Sequence, residues 1–380
     1  IDNSATYSLY RNDVNNGGYN IIGDNQNLTA GTIRTHSGNP YLRWEQTQQT
    51  NVGLDAAFLS SRLLFEIDLF NKQTRDMLYE PAYAAVLGEG GYSFQNVAAM
   101  NNKGIEFNLS WRDSKDDFSY EISFNGSLNK NRITKLPEQV YYTWGCGNGD
   151  NITNVGHPLG SWLGYKTDGL FRTQAEVDDY MSRYQVQYGA PGVGRLRYVD
   201  TNGDNVINAK DRIFMGSDQP KFIGGLNFSA NWKGFDLSLF FNGMVRQAWN
   251  NSKFYTNLWA YWSGNHSTRL LEAYDAWENY EKTGRYDSDI PALTTSGSNN
   301  ENGSSDFFVE NGSYLKLKTL TLGYTLPEKV LEKCHLRNLR VYLQAQNLFT
   351  ITSYTGADPE GLGFPYPIPR TFTFGLSVGL

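Results

Sequence analysis

The 380 residues include 33 basic and 39 acidic side chains, a formal net charge of -6, 14% aromatic residues, 38 Gly and only 2 Cys. With a pI near 5.4 there is no basic footprint for nucleic-acid phosphates, so nucleic acid is excluded as a partner. No segment reaches the roughly 18 apolar residues of a membrane helix, yet the chain is too aromatic and too regular to be disordered.

The start, Ile1 to Ser4, shows neither an initiator Met nor a leader pattern, and the expectation is that the sequence begins within a longer protein. Period-two alternation then predicts about ten strands. They lie near residues 2–9, 42–59, 62–75, 104–112, 118–131, 221–232, 235–247, 313–325, 339–350 and 371–380. One face is Leu, Phe, Ile and Trp, as in Ile105, Phe107, Leu109 and Trp111. The other face is small and uncharged, as in Asn108, Ser110, Asn125, Asn227, Ser229, Thr371 and Thr373. A lipid-facing apolar side and a polar lumen side fit an all-β, transmembrane antiparallel β-barrel. The predicted links alternate as well. Those around Ser60-Ser61, Asp113 to Asp117 and Lys233-Gly234 are tight, and Pro327 to Asn338 is modest, whereas those at about 10–41, 76–103, 132–220, 248–312 and 351–370 are long. Long extracellular loops and short periplasmic turns are the barrel pattern. A soluble sandwich also alternates, so the alternative is a secreted all-β glycan-binding module stabilised by calcium.

Inside the long links, residues 174–188 and 267–283 are predicted helices. In the second, Leu270, Leu271, Tyr274, Trp277 and Tyr280 make one apolar face at spacings of three and four. Between the helices, Asp200 to Asp211 has the spacing of a calcium loop. Its predicted metal ligands are Asp200, Asn202, Asp204, the Val206 carbonyl, Asn208 and Asp211, with Ile207 as apolar anchor and Asn205 where Gly is usual. The ion's role would be structural, and the alternative is an Asx-rich turn held by its own hydrogen bonds. Trp144, Trp162, Trp249, Trp259 and Trp262 are candidate ligand-stacking residues, although rim aromatics also occur simply as girdles. Neither the four His (His36, His157, His266, His335) nor the Gly189 to Gly194 turn completes a hydrolase, zinc or phosphate motif, so no catalytic residue and no enzyme is expected. Cys146 falls in an outer loop and Cys334 in a periplasmic turn, about 25 Å of hydrocarbon apart. They are expected not to pair.

Five ordered strings resemble the SusC/RagA-type TonB-dependent outer-membrane transporters. They are Asn96 to Glu106, Gly164 to Phe171, Asp200 to Arg212, Asn311 to Lys318 running on to Gly323 to Pro327, and Gln346 to Thr350 with Gly356 to Glu360. The resemblance implies that residues 1–380 are the C-terminal portion of such a barrel, including the calcium-type loop at 200–211, in the outer membrane of a Gram-negative bacterium. It further implies import of oligosaccharides or peptides, a SusD-like lipoprotein partner, and TonB coupling through an N-terminal part not visible here. The chain departs from the usual aromatic terminus, ending in Leu380.

Overall fold

The computed structural model describes residues 6–13, 21–22, 28–29, 31–79, 93–137, 140–142, 150–253, 258, 267–294, 300–332, 336–361, 366 and 368–379. Its frame is one nine-stranded antiparallel sheet. The strands are β1 (Gln46–Phe58), β2 (Leu63–Tyr79), β3 (Gln95–Lys115), β4 (Phe118–Lys135), β5 (Phe222–Trp232), β6 (Phe235–Val245), β7 (Tyr314–Thr325), β8 (Asn338–Thr352) and β9 (Thr371–Gly379). Each pairs with its neighbours in sequence, and among the described residues β1 and β9 are free edges, so the meander is an open arc of barrel wall. No described helix is long and apolar enough to cross a membrane.

Nine of the ten predicted strands are therefore wall strands. Of the strand placed near 2–9, residues 2–5 lie outside the described residues, 6–8 are not strand, and Leu9–Asp13 pairs with Gly31–His36 in a separate two-stranded sheet. A partner close in sequence satisfies its backbone groups, so it does not join the wall.

Register shows why the wall has two characters. Phe58, Leu63, Trp111, Ile122, Phe228, Leu239, Leu320, Ala345 and Phe372 form one cross-strand row through all nine strands. One residue along, the row Arg112, Glu121, Ser229, Ser238, Thr321, Gln344 and Thr373 is polar and lies on the opposite face. On the apolar side Phe372, Phe374, Leu376, Leu343, Leu322 and Ile122 are all exposed. A continuous apolar face of this extent exceeds what water-facing monomers show and calls for a hydrocarbon environment.

The tight connections share one end of the sheet. Lys233 and Gly234, at φ 47 and 87, make a two-residue turn between Trp232 and Phe235, the geometry that matches strand twist. The opposite end carries the long connections.

Inner-face contacts fix the wall at two glycines where close approach is needed. On β7, a Cβ at Gly323 would collide with the Asp236–Arg340 ion pair that crosses over it. On β9, a Cβ at Gly375 would occupy the place of the Tyr342 ring.

Candidate functional site

The described parts of the connections 136–221 and 246–313 fold together above the wall into a second core. Ser161–Tyr165 is buried along its length, between Asp150–Thr153 and Arg212–Gly216. Helix α1 (Gln174–Arg183) is capped by the Thr173 side chain, and helix α2 (Leu270–Thr283) ends at Gly284, left-handed at φ 73. Tyr165, Phe171, Val177, Tyr180, Leu196, Tyr198, Ile207, Ala276 and Tyr286 form the shared core. Gly164 lets the Ser304 carbonyl approach closely enough to accept the Tyr165 N–H at 2.9 Å. Thr167 donates both its N–H and its hydroxyl to Asp306, at 2.8 and 2.5 Å.

A buried ion pair crosses this core. Arg195 Nη1 is 2.7 Å from Glu301 Oε2, its Nη2 donates to the carbonyls of Ala292 and Leu293, and Glu301 Oε1 accepts the Leu196 N–H at 3.1 Å.

Two charged joints tie the loops to the strand tops. In the first, Lys253 Nζ is 2.8 Å from Glu310 Oε1, and the same carboxylate accepts the Thr355 N–H at 2.9 Å. In the second, Lys316 Nζ, on the inner face of β7, donates to both oxygens of Asp358 at 3.1 Å and to Glu360 at 2.9 Å, while Lys318 reaches Glu360 at 2.6 Å. Arg246 adds a bond to the Pro359 carbonyl.

The first joint has a pH consequence. Burial alone would raise the Glu310 carboxyl, but Lys253 and the Thr355 donors outweigh it and hold the group below its ordinary 4.5. A depressed folded-state value means that the contribution is fully present above the unfolded value and is lost as pH falls through the folded one. Protection against hydrogen exchange at 247–253 and 309–311, corrected for the intrinsic pH dependence of the amides, should therefore fall as the pH drops below about 4.5, more steeply than in a Glu310→Gln variant. Equal acid sensitivity of the two would refute this assignment.

The Asp200 to Asp211 loop keeps the predicted spacing but divides its oxygens. Asp200 accepts the N–H groups of Gly203 and Asn205 at 2.7 and 2.8 Å, Asn202 accepts that of Asp204 at 2.8 Å, and Asp204 accepts that of Val206 at 2.9 Å. Against a desolvation that would raise it, these backbone donors hold the Asp200 carboxyl below its ordinary value. Asn205 is left-handed at φ 59, as the usual Gly would be. Asp211 is fully buried and accepts the N–H groups of Thr201 and Asn208, at 3.0 and 2.8 Å, as part of a capping box. Thus Asp200, Asn202, Asp204 and Asp211 all accept backbone N–H groups of the loop itself, the first three toward its exposed side and Asp211 in its buried interior. Among the described residues no three His, Cys, Asp or Glu side chains gather into a metal set. The donors on the exposed side are the hard oxygens a calcium ion takes.

Two stacking candidates are corrected. Trp162 and Trp249 are 3% and 5% exposed, with ring centroids 5.8 Å apart, and Trp249 stacks on Phe308 at 5.1 Å. Their faces are covered, because the loops use them as core. Trp144, Trp259 and Trp262, and both Cys146 and Cys334, lie outside the described residues. Helix α2 turns its small residues inward, with Leu270, Ala273 and Ala276 buried, and leaves Leu271 and Tyr274 61% and 52% exposed, with Trp277 beside them. The predicted apolar stripe is thus divided: Leu270 and Tyr280 pack inward, while Leu271, Tyr274 and Trp277 face outward.

Comparison with known proteins decides the family. The model described as TonB dependent receptor-like, beta-barrel matches residues 4–348. The chain belongs to this family. It is 31% identical to TonB-dependent receptor P3 of Formosa agariphila, over 95% of this chain and 36% of that protein. It is 29% identical to the TonB-dependent receptor SusC of Bacteroides thetaiotaomicron, over 91% of this chain and 33% of that one. The structure of the RagAB peptide importer in the open-open state superposes with a TM-score of 0.75 at 27% identity, covering 100% of this chain and 38% of that one. The chain therefore spans about a third of the curated relatives it matches.

As a SusC/RagA-type barrel domain of the outer membrane, the chain gives physical roles to its signature strings. Asn311 to Lys318 and Gly356 to Glu360 are the two halves of the Lys316 joint, and Gly164 to Phe171 supplies Tyr165, Leu170 and Phe171 to the loop core. Sequence reasoning recognised the strings but did not pair them. The available signal was the pair of cations Lys316 and Lys318 at the loop end of β7, with the carboxylates Asp358 and Glu360 in the next long link.

Proposed function

We propose that the chain is the loop-bearing wall of a TonB-dependent transporter that imports oligosaccharides or peptides together with a SusD-like surface lipoprotein. The observation that carries this reading is the two-faced nine-stranded wall crowned at one end by a loop assembly with its own core. A wall of this kind fixes the loops at the membrane surface, where cargo and partner would meet them. The reaction is passage without covalent change, and TonB would act through parts of the protein beyond this chain. The outward stripe of Leu271, Tyr274 and Trp277 on α2 supplies an apolar surface for the lipoprotein. The decisive experiment is purification of the full-length protein from outer membranes followed by mass spectrometry of what accompanies it. Recovery with a lipoprotein, in a strictly detergent-dependent form, is the expected result. A monodisperse protein in aqueous buffer without detergent would overturn the reading.

The same proposal includes a structural calcium ion on Asp200, Asn202, Asp204 and the Val206 carbonyl, with Asn208 and Asp211 completing the loop behind them. Three acidic side chains in one short loop, Asp200 and Asp204 on its exposed side, favour a cation there. Calcium titration of the full-length protein should show one site that Asp200→Ala removes, and chelation should speed proteolysis within 196–215. Proteolysis that is identical with and without chelator would count against the ion.

A further inference from the structure

β4 runs on past the end of β5. Their last pair is Ser127 with Ile223, so 128–132 keep β3 on one side and on the other face a cavity of about 1260 Å³, closed by segments 156–161 and 214–221. The cavity is lined by Lys103, Lys130, Arg132 and Lys221 and, among the described residues, by no carboxylate, in a chain whose net charge is -6. Register makes Asn71, Lys103 and Lys130 one cross-strand row, and Leu69, Ile105 and Leu128 the next row down on the same outward face. Lys103 and Lys130 are thus direct cross-strand neighbours of like charge, an arrangement that is destabilising unless an anion lies between them. Asn71 Oδ1 is buried here without a hydrogen-bond partner.

Height along the wall identifies what can reach these groups. From Trp111, in the aromatic zone near the tight turns, up β3 to Lys103 is ~26 Å along the strand, or ~20 Å along the membrane normal at the tilt of barrel strands, so that long lysine side chains reach up to the border of the ~25 Å apolar band. The cations therefore stand where lipid headgroups begin, directly above the exposed apolar row. They are not a general basic rim, since Val245, Leu315 and Ile351, at the loop ends of β6, β7 and β8, are exposed and apolar.

We propose that the outward side of this cavity, where Asn71, Lys103 and Lys130 stand above Leu69, Ile105 and Leu128, binds an anionic glycolipid of the outer leaflet. Its phosphate would sit on Lys103, Lys130 and Arg132, a sugar hydroxyl would donate to Asn71 Oδ1, and its acyl chains would run down Leu69, Ile105 and Leu128. The inference rests on the membrane-spanning reading of the wall. It uses charge-assisted bonds to an anion together with burial of apolar surface, the two attractions available at this height.

The test uses the full-length protein, delipidated in detergent and titrated in native mass spectrometry with deep-rough lipopolysaccharide, with its enzymatically dephosphorylated form and with soluble glucosamine 1-phosphate. The phosphorylated lipid should bind once per chain. The Lys103→Gln/Lys130→Gln variant should bind it about tenfold or more weakly, as loss of hydrogen bonds to a charged group predicts. Heat-modifiable gel mobility and detergent dependence report on the wall itself and should not change, which separates failure of this site from failure of the barrel reading. Equal binding by the variant, equal binding of the phosphate-free lipid, or displacement of the lipid by an equal concentration of the soluble phosphosugar would each overturn the proposal.

Discussion

Lys316→Met should destabilise the barrel domain by about 3–5 kcal/mol, the loss found when one partner of a buried charge pair is removed. Lys316 is 3% exposed and holds both oxygens of Asp358. Glu360 keeps Lys318 in the variant, so the charge left without a cation is that of Asp358, whose side chain is itself 12% exposed. That asymmetry specifies the rescue. Adding Asp358→Asn should return most of the loss, because a neutral amide no longer demands a counter-charge, whereas adding Glu360→Gln should not. The measurement is the urea midpoint of the full-length protein in detergent, followed by tryptophan fluorescence and by heat-modifiable gel mobility. A single Met variant within about 1 kcal/mol of wild type, the scale of a surface pair, would show that this joint does not hold the 353–361 loop to the wall.

The wall was legible in the sequence and the loop assembly was only partly so. A lipid-facing strand must alternate, so Ile105, Phe107, Leu109 and Trp111 announce both the strand and its face from four residues. Its tight turns are announced by pairs such as Lys233-Gly234. The strand near 2–9 was misplaced because alternation identifies a strand but not its partner. In the loops the signal fails for a different reason. Trp162 and Trp249 read as rim aromatics, but the two connections together bury enough surface to build a core, and a large aromatic in a core is indistinguishable in sequence from one offered to a ligand. The stripe on α2 shows the same limit. A spacing of three and four selected Leu270, Leu271, Tyr274, Trp277 and Tyr280, of which Leu270 and Tyr280 pack inward, but the buried face also runs through Ala273 and Ala276, whose small side chains let the helix approach closely. The cations of the outward cavity were invisible individually, because Lys103, Lys130 and Arg132 come together only through strand register.

Arg195→Met should unlock the loop assembly while leaving the wall intact. Arg195 joins three chain segments, since its guanidinium donates to Glu301 and to the Ala292 and Leu293 carbonyls, its N–H donates to the Gly192 carbonyl, and its own carbonyl accepts the Phe171 N–H. Its removal orphans a buried carboxylate and two carbonyls, for an expected loss of about 3–5 kcal/mol confined to the loops. Hydrogen exchange should report it as lost protection across 161–215 and 286–305, with β1 to β9 unchanged, because cooperative units open separately when few contacts join them. Glu301→Gln should recover less here than Asp358→Asn does at Lys316, since the Ala292 and Leu293 carbonyls remain without their donor. The defect should also depend on pH. Burial raises the Glu301 carboxyl above its ordinary 4.5 even with Arg195 opposing that shift, and without the arginine the shift is larger. A group with a raised folded-state value stabilises below its unfolded value and loses that contribution as pH rises. The Arg195→Met loops should therefore be closest to wild type below about pH 4.5 and progressively weaker toward pH 7. A pH-independent defect, or one that spreads into the wall strands, would mean that Glu301 is not the charge left behind and that the loop core does not fold as a unit of its own.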